Sequence, residues 1–324
     1  MKKTGIIILS LSGLAISAVP STQPPDAEIS NGLVHARLYL PDPDVGYYRG
    51  SRFDWSGVIS SLDYNGHHYF GQWFKEYSPT LHDAILGPVE AFDPVGYNEA
   101  KAGENFLKIG IGVLSKTDES PYAFAKPYPI LNTGTWSVTT KPDRVQFIHS
   151  LKDKAWSYEY EKTVKLIKDK PEMVLTHSLK NTGLRILETS VYNHNFFVMD
   201  EQTTGPGFTV TFPFALPGEP GNEMKDFVQF KGRQLSFLKE LAPKEHILFR
   251  DLSAGATTDY EIKIESHKTG AAVKITSDKP ISKLVFWSAS TTLCPEPFIK
   301  LKVDPGKEVS WSIRYEFYDC EIIK

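Results

Sequence analysis

Between residues 309 and 318, apolar or aromatic side chains alternate strictly with polar ones. The apolar members are Val309, Trp311, Ile313, Tyr315 and Phe317. A period of two places successive side chains on opposite faces of a β-strand, so one face of this segment is expected to be buried. Shorter alternations recur at Val174–Leu179, Tyr260–Glu265 and Ala272–Thr276. The chain is therefore expected to fold mainly into half-buried strands.

Turn-forming residues separate these strand-like segments. The clearest turns are predicted at Asn65–Gly66, Asn181–Gly183, Lys268–Gly270, Ser277–Pro280 and Asp304–Lys307. Glycine, proline and asparagine at these places favour tight reversals between neighbouring strands. Only Phe237–Ala242 hints at a helical turn. The pattern predicts an all-β, antiparallel sandwich, and a chain of 324 residues can form such a sandwich as one domain.

The first residues resemble an export signal. Lys2 and Lys3 precede the apolar segment Gly5–Ala18, which is too short to span a bilayer and ends in small residues. We expect a signal peptide over residues 1–18, a proline-rich linker over residues 19–30 and a single domain over residues 31–324. The mature protein is then exported, periplasmic or secreted, with no membrane attachment after cleavage. An uncleaved membrane anchor is the alternative.

Charge and cysteine content exclude several classes of protein. The formal net charge of −3 combines 36 basic with 39 acidic residues, interleaved along the chain, so no basic surface for nucleic acid is expected. The two cysteines, Cys294 and Cys320, cannot form a structural zinc site by themselves. Export would permit a disulfide between them, but we favour two free, partly buried thiols.

Common catalytic motifs are absent. The sequence contains neither Gly-x-Ser-x-Gly nor His-Glu-x-x-His, which argues against an ordinary hydrolase or zincin. Gly110 and Gly112 lack the third glycine of a dinucleotide site. His67 and His68 would face opposite sides of a strand and could not bind one metal. No metal site is predicted.

A loop-rich segment, Gly46–Gly103, combines many aromatic residues with charged ones. Aromatic rings beside fixed polar groups suit a sugar, whose C–H faces are apolar and whose rim carries hydroxyls. The alternative is an edge loop that packs its own aromatic residues over one end of the sandwich. Composition favours neither interpretation.

Two short segments carry the candidate chemistry. In Ser190–Phe197, His194 stands between two asparagines and is followed by two phenylalanines. In Leu293–Pro297, Glu296 stands between two prolines that stiffen the backbone. A histidine and a glutamate on separate strands can act as acid and base on one bound ligand. The alternatives are a structural histidine and a solvated surface glutamate.

The sequence Asn-His-Asn-Phe-Phe around His194 resembles the Asn-His-x-Tyr-Phe motif of the aldose 1-epimerases, also called galactose mutarotases. Cys-Pro-Glu-Pro around Glu296 resembles the segment that carries the catalytic glutamate in hexose-6-phosphate mutarotase relatives. The resemblance implies a β-supersandwich with a ligand cleft on one concave face, and epimerisation at C1 without any cofactor. It implies that His194 protonates the ring oxygen while Glu296 removes the proton of the anomeric hydroxyl. We expect these two side chains to face each other across a gap as wide as a pyranose ring.

The same resemblance suggests residues that bind the sugar. Arg52 lies in a segment similar to the family's Gly-Arg-Tyr-x-Asn-Arg, although a serine replaces the asparagine. His82 is the candidate for a second histidine from a Leu-His-Gly-Gly motif, with Asp83 in place of the first glycine. Glu90 and Asn193 are further candidates for substrate binding.

The expected partner is a small sugar or an oligosaccharide, but the sequence does not indicate which sugar or which oligomeric state. After Phe197 the chain lacks the Asn-Leu pair found in the epimerases, which leaves the sugar specificity open. Two alternatives keep the fold: a non-catalytic carbohydrate-binding protein, and a polysaccharide lyase or hydrolase.

Overall fold

The computed structural model describes residues 23–323. Strands make up 50% of it and helix 1%, which confirms the prediction of an all-β, antiparallel fold. The predicted signal peptide, residues 1–18, lies outside the described residues. Within the described part of the chain, no helix is long and apolar enough to cross a membrane.

Twenty-two strands and one helical turn follow one another along the described chain. They are β1 (Asp26–Ser30), β2 (Val34–Tyr39), β3 (Val58–Tyr64), β4 (His67–Phe70), β5 (Gly87–Phe92), β6 (Asn105–Lys108), β7 (Gly112–Ser115), β8 (Ile130–Asn132), β9 (Thr135–Lys141), β10 (Arg144–Lys152), β11 (Ser157–Leu166), β12 (Glu172–Asn181), β13 (Leu187–Phe196), a 3₁₀ turn (Met199–Glu201), β14 (Phe208–Thr211), β15 (Val228–Lys231), β16 (Gln234–Phe237), β17 (His246–Phe249), β18 (Glu261–Ser266), β19 (Ala271–Ser277), β20 (Lys283–Ala289), β21 (Thr292–Val303) and β22 (Glu308–Asp319).

The strands form four sheets. The largest has ten strands in the order β15-β16-β14-β18-β19-β22-β12-β11-β10-β9. A five-stranded sheet has the order β17-β20-β21-β13-β5, and two smaller sheets join β1 to β4 and β6 to β8. Every paired strand in these sheets is antiparallel to its neighbour.

The main hydrophobic core contains buried side chains from the ten-stranded, five-stranded and four-stranded sheets. Strand β22 forms as its alternation predicts, with Trp311, Ile313, Tyr315 and Phe317 all buried. The Tyr315 hydroxyl donates a 2.7 Å hydrogen bond to Asn195 of β13, across the space between the two sheets. Burial of one face of each sheet supplies the main driving force for this arrangement.

Two details of the predicted organisation differ in the structure. Residues 26–30, expected to belong to the linker, form β1, because their backbone pairs with β2 along its whole length. Residues 237–242, where the sequence hinted at a helical turn, contain the end of β16 followed by irregular chain. The pairing of β16 with β14 and β15 holds the start of this segment in an extended conformation instead.

The cysteines are free, as predicted. Cys294 is fully buried on β21 of the five-stranded sheet, whereas Cys320 follows β22 of the ten-stranded sheet. Cys320 is partly exposed, and its thiol donates to the Ser266 carbonyl at 3.6 Å. Because they lie in different sheets, the two cysteines are not cross-strand neighbours.

Candidate active site

The outer face of the five-stranded sheet forms the floor of a cavity of about 640 Å³. Strand β13 directs Ser190, Tyr192, His194 and Phe196 into this cavity. The intervening Asn193 and the other odd-numbered residues point toward the ten-stranded sheet, since side chains alternate along a strand. The alternation thus divides β13 into a cavity face and a core face.

His194 and Glu296 lie side by side on this floor. Strands β13 and β21 are paired up to Tyr192↔Phe298, and the same register places His194 directly beside Glu296. The distance from His194 Nε2 to Glu296 Oε1 is 3.4 Å. This corrects the expected pyranose-wide gap. Residues directly opposite each other on paired antiparallel strands have Cβ atoms only about 5 Å apart. Their side chains can therefore contact each other, and no sugar ring fits between them.

Burial shifts the pKa values of both groups toward their neutral forms. Burial raises the pKa of Glu296 to about 7; Arg52 opposes the shift and Asp83 adds to it. Burial also lowers the pKa of His194 well below its ordinary value, and the charge of Arg52 lowers it further. At neutral pH the imidazole of His194 is therefore mainly uncharged, and the carboxyl group of Glu296 is partly protonated.

Aromatic rings enclose the imidazole of His194. Phe196 stacks on it with ring centroids 3.8 Å apart, while Phe53 and Trp287 meet it edge-on at 5.7 Å and 6.0 Å. Trp73 in turn stacks on Phe196 at 4.9 Å and lines the cavity. Such surroundings exclude water from the imidazole, and they strengthen the electrostatic interactions made there. They also offer apolar surface to the C–H face of a ligand.

Arg52 lies at the edge of the same cavity and is held on several sides. Its guanidinium forms an ion pair with Asp83 and donates a 3.3 Å hydrogen bond to the Tyr192 hydroxyl. The rings of Phe53 and Phe124 lie 4.5 Å and 4.1 Å from it. Asp83, which replaces a glycine of the resembling motif, thus supplies the ion-pair partner of Arg52.

His82 does not reach the cavity. Its side chain is about one-third exposed, and its Nε2 lies 3.0 Å from Asp83 Oδ2. The residues that line the cavity include Asp83 but not His82. The structure therefore places Arg52, His194 and Glu296 in one cavity, whereas His82 lies outside it and contacts Asp83.

Glu90 and Asn193 also lie outside the cavity, in the core on the opposite face of the sheet. Asn193 donates a 3.1 Å hydrogen bond to Glu90, which pairs with Lys162 and lies 2.9 Å from His177 Nε2. Burial alone would raise the pKa of Glu90, but Lys162 and His177 outweigh it and hold the pKa at about 2. These two candidates for substrate binding instead belong to a buried cluster that ties β5 and β13 to β11 and β12. The physical reason is strand alternation, which sends Asn193 away from His194.

The long segment Gly46–Gly103 fits both of its interpretations. Trp73, Asp83 and Asp93 line the cavity together with Arg52. Other aromatic residues of the segment pack against each other, as Tyr47 does against Tyr77 at 4.7 Å between ring centroids.

Sequence reasoning missed several residues that line the cavity: Tyr122, Tyr192, Trp287, Phe298 and the buried Lys108. Counting in steps of two from His194 and Glu296 would have found Tyr192 and Phe298. Lys108 and Tyr122 come from separate segments, and no local pattern indicates them. Among residues 23–323, no group of three or more His, Cys, Asp or Glu side chains is placed to hold a metal ion.

The sequence matches no protein-family model and no curated protein. Solved structures, by contrast, resemble it over nearly its whole length. A putative aldose 1-epimerase from Escherichia coli K12 is 12% identical, with a TM-score of 0.51 over 91% of this chain and 99% of that one. A GalM/aldose epimerase homologue from Caenorhabditis elegans is 13% identical, with a TM-score of 0.52 over 92% and 100% of the two chains. A galactose mutarotase-like protein from Lactobacillus casei is 12% identical, with a TM-score of 0.53 over 90% and 100%. The chain therefore has the fold of the galactose mutarotase-like proteins.

Proposed function

We propose that this protein is an aldose 1-epimerase, an enzyme that interconverts the anomers of a sugar at C1. One observation carries the proposal. A histidine and a glutamate with oppositely shifted pKa values are in contact on the floor of an aromatic cavity, beside a buried arginine. Titratable groups with perturbed pKa values in a cavity are typical of catalytic sites.

The side-by-side placement of His194 and Glu296 suits this reaction. The ring oxygen and the anomeric hydroxyl are bonded to the same carbon, so the acid and the base that meet them must be close neighbours. Glu296 removes the proton of the anomeric hydroxyl while His194 gives a proton to the ring oxygen. The bond between C1 and the ring oxygen breaks, and an open-chain aldehyde forms. Rotation about the C1–C2 bond and reclosure with the roles reversed produce the other anomer.

The reaction needs one transferable proton on the pair. When Glu296 is ionised, His194 must carry that proton; when Glu296 is protonated, the neutral imidazole can accept one. The two forms contain the same number of protons, and burial favours the second in the free protein. Ring opening converts one form into the other, and reclosure converts it back, so one complete turnover leaves the pair in its starting form.

The remaining cavity residues hold the sugar in this proposal. The planar guanidinium of Arg52, fixed by Asp83 and Tyr192, donates to hydroxyl groups near the reacting carbon. Arg52 Nε is buried and has no hydrogen-bond partner within residues 23–323. Trp73 and Trp287 provide the apolar surface against which a pyranose ring packs.

Exchange spectroscopy by NMR tests the proposal, because it measures interconversion of anomers at equilibrium. Wild-type protein should accelerate the exchange of at least one common aldose. His194→Ala and Glu296→Gln should each lower the catalysed rate by about 100-fold or more, the range expected for a positioned acid or base. Glu316→Gln is the matched control, since Glu316 lies on β22 and pairs with Lys274 at the surface. Wild-type protein that binds aldoses without accelerating the exchange would refute the enzymatic function and favour a binding protein.

A further inference from the structure

The charge of the cavity is opposite in sign to that of the whole chain. Five cationic side chains line it, against three carboxylates, whereas the chain carries a formal net charge of −3. The cations are Arg52, Lys108, Arg250, Lys283 and Lys300, and the carboxylates are Asp83, Asp93 and Glu296. A cavity with an excess of one charge attracts ligands of the other.

Most of these cations lack a carboxylate partner. Arg52 is paired with Asp83, but within residues 23–323 no carboxylate lies within ion-pair distance of Arg250, Lys283 or Lys300. Lys302, two residues beyond Lys300 and outside the cavity, does pair with Glu188 at 3.6 Å. Lys283 and Lys300 therefore face the cavity without a carboxylate partner among residues 23–323.

Two of the unpaired cations, Lys283 and Lys300, lie at one end of the cavity floor. Lys283 is directly opposite Phe298, one step of two residues from Glu296, and its ammonium lies 5.0 Å from the Phe298 ring. Lys300 is one further step away on β21. Each step of two residues covers about 7 Å along a strand, roughly the width of a sugar ring. A sugar with C1 at Glu296 would therefore direct its far side toward Lys283 and Lys300.

Lys108, at the end of β6, also lines the cavity and is buried, with 2% of its surface exposed. Its ammonium donates to the Phe92 carbonyl, and no carboxylate within residues 23–323 lies within ion-pair distance. An ammonium has three N–H donors, and this one has a single acceptor. Burial lowers its pKa to about 7, an effect that Asp93 opposes. A buried ammonium with unused donors is costly unless an anion joins it.

We propose that the cavity takes a sugar bearing an anionic substituent, with Lys108, Lys283 and Lys300 holding that substituent. Carboxylate groups of uronic acids and phosphate esters share the required chemistry: negative charge and several acceptor oxygens. The proposal rests on the proposed function only for the orientation of the sugar, with C1 at Glu296. The preference for anionic sugars follows from the charges alone.

Isothermal titration calorimetry tests the preference without requiring turnover. Glucuronate, galacturonate and glucose 6-phosphate are compared with glucose and galactose, at low and high salt. At least one acidic sugar should bind about tenfold more tightly than its neutral counterpart, and high salt should reduce the difference. The double variant Lys283→Gln/Lys300→Gln should remove about tenfold of the affinity for the acidic sugar and change that for the neutral sugar less than about twofold. Lys302→Gln, the matched control, should change neither.

The acidic sugar that binds more tightly identifies the substituent as carboxylate or phosphate. Equal binding of acidic and neutral sugars, no binding of any acidic sugar, or a preference that survives the double variant would each overturn the inference. Failure here is distinguishable from failure of the proposed function. Tight binding of an acidic sugar without anomer exchange refutes only the epimerase, and exchange of neutral sugars with no acidic preference refutes only this inference.

Discussion

Replacement of Lys162 by methionine should destabilise the fold strongly without touching the cavity. Lys162 and Glu90 are both fully buried and form an ion pair, and Lys162 also donates a 2.9 Å hydrogen bond to the Ser56 carbonyl. Removing one partner of a buried ion pair leaves an uncompensated charge and costs about 3–5 kcal/mol. We expect a loss of this size in the free energy of unfolding of Lys162→Met, measured by urea denaturation with an unchanged slope.

Two further variants isolate the cause of this loss. Adding Glu90→Gln to Lys162→Met should recover part of the stability, because it removes the unpaired charge while keeping a hydrogen-bonding side chain beside His177 and Asn193. Lys165→Met, on the opposite face of the same strand, should change stability by less than about 0.5 kcal/mol.

The stabilisation of the fold by the ion pair of Lys162 and Glu90 should depend on pH. Although burial opposes it, Lys162 holds the pKa of Glu90 at about 2, below its ordinary value. The stabilisation is therefore present above the ordinary pKa of a carboxyl group, and it declines as the pH falls toward 2. The difference between wild type and Lys162→Met should narrow in acid. A loss below about 1 kcal/mol at neutral pH, or a double variant less stable than Lys162→Met, would refute the account of the cluster.

Two other predictions follow from burial. If the pair of His194 and Glu296 must carry one proton, kcat/KM for anomer exchange should fall as the pH rises through about 7, because Glu296 ionises there. It should also fall in acid, because His194 becomes charged. A rate that keeps rising to pH 9 would show that Glu296 acts as a base without His194 supplying the proton. A thiol-specific reagent should label Cys320 and spare Cys294 in the native protein, because Cys294 is fully buried and burial raises its pKa. Both cysteines should react in urea. Equal labelling in the native state would contradict the buried position of Cys294.

The sequence was sufficient for the fold class because alternation is a local property. Each residue from Val309 to Phe317 shows by its own polarity which face of β22 it occupies, and the structure agrees. The order of strands is not local, since β13 lies between β21 and β5, about a hundred residues away on either side. The sequence therefore indicated His194 and Glu296 as candidates but not that they are direct cross-strand neighbours.

The expectations for the site that the structure corrects also depended on contacts that a local sequence pattern does not show. Asn193 is next to His194 in the sequence, but neighbouring residues of a strand lie on opposite faces of the sheet. In the sequence, Asp83 is a departure from the glycine of the resembling motif; in the structure, it is the ion-pair partner of Arg52. No local sequence pattern marks Lys283 and Lys300, because a cluster of cations becomes apparent only when the fold shows which carboxylates lie near them.

A crystal structure of Glu296→Gln with a bound aldose would test the central claim most directly, because this variant keeps the shape of the site and removes the base. The account predicts that both oxygens on C1 lie on the cavity floor. One should be within about 2.6–3.2 Å of His194 Nε2, and the other at the same range from the amide at position 296. A sugar whose C1 points to the mouth of the cavity, with neither oxygen near His194, would contradict it.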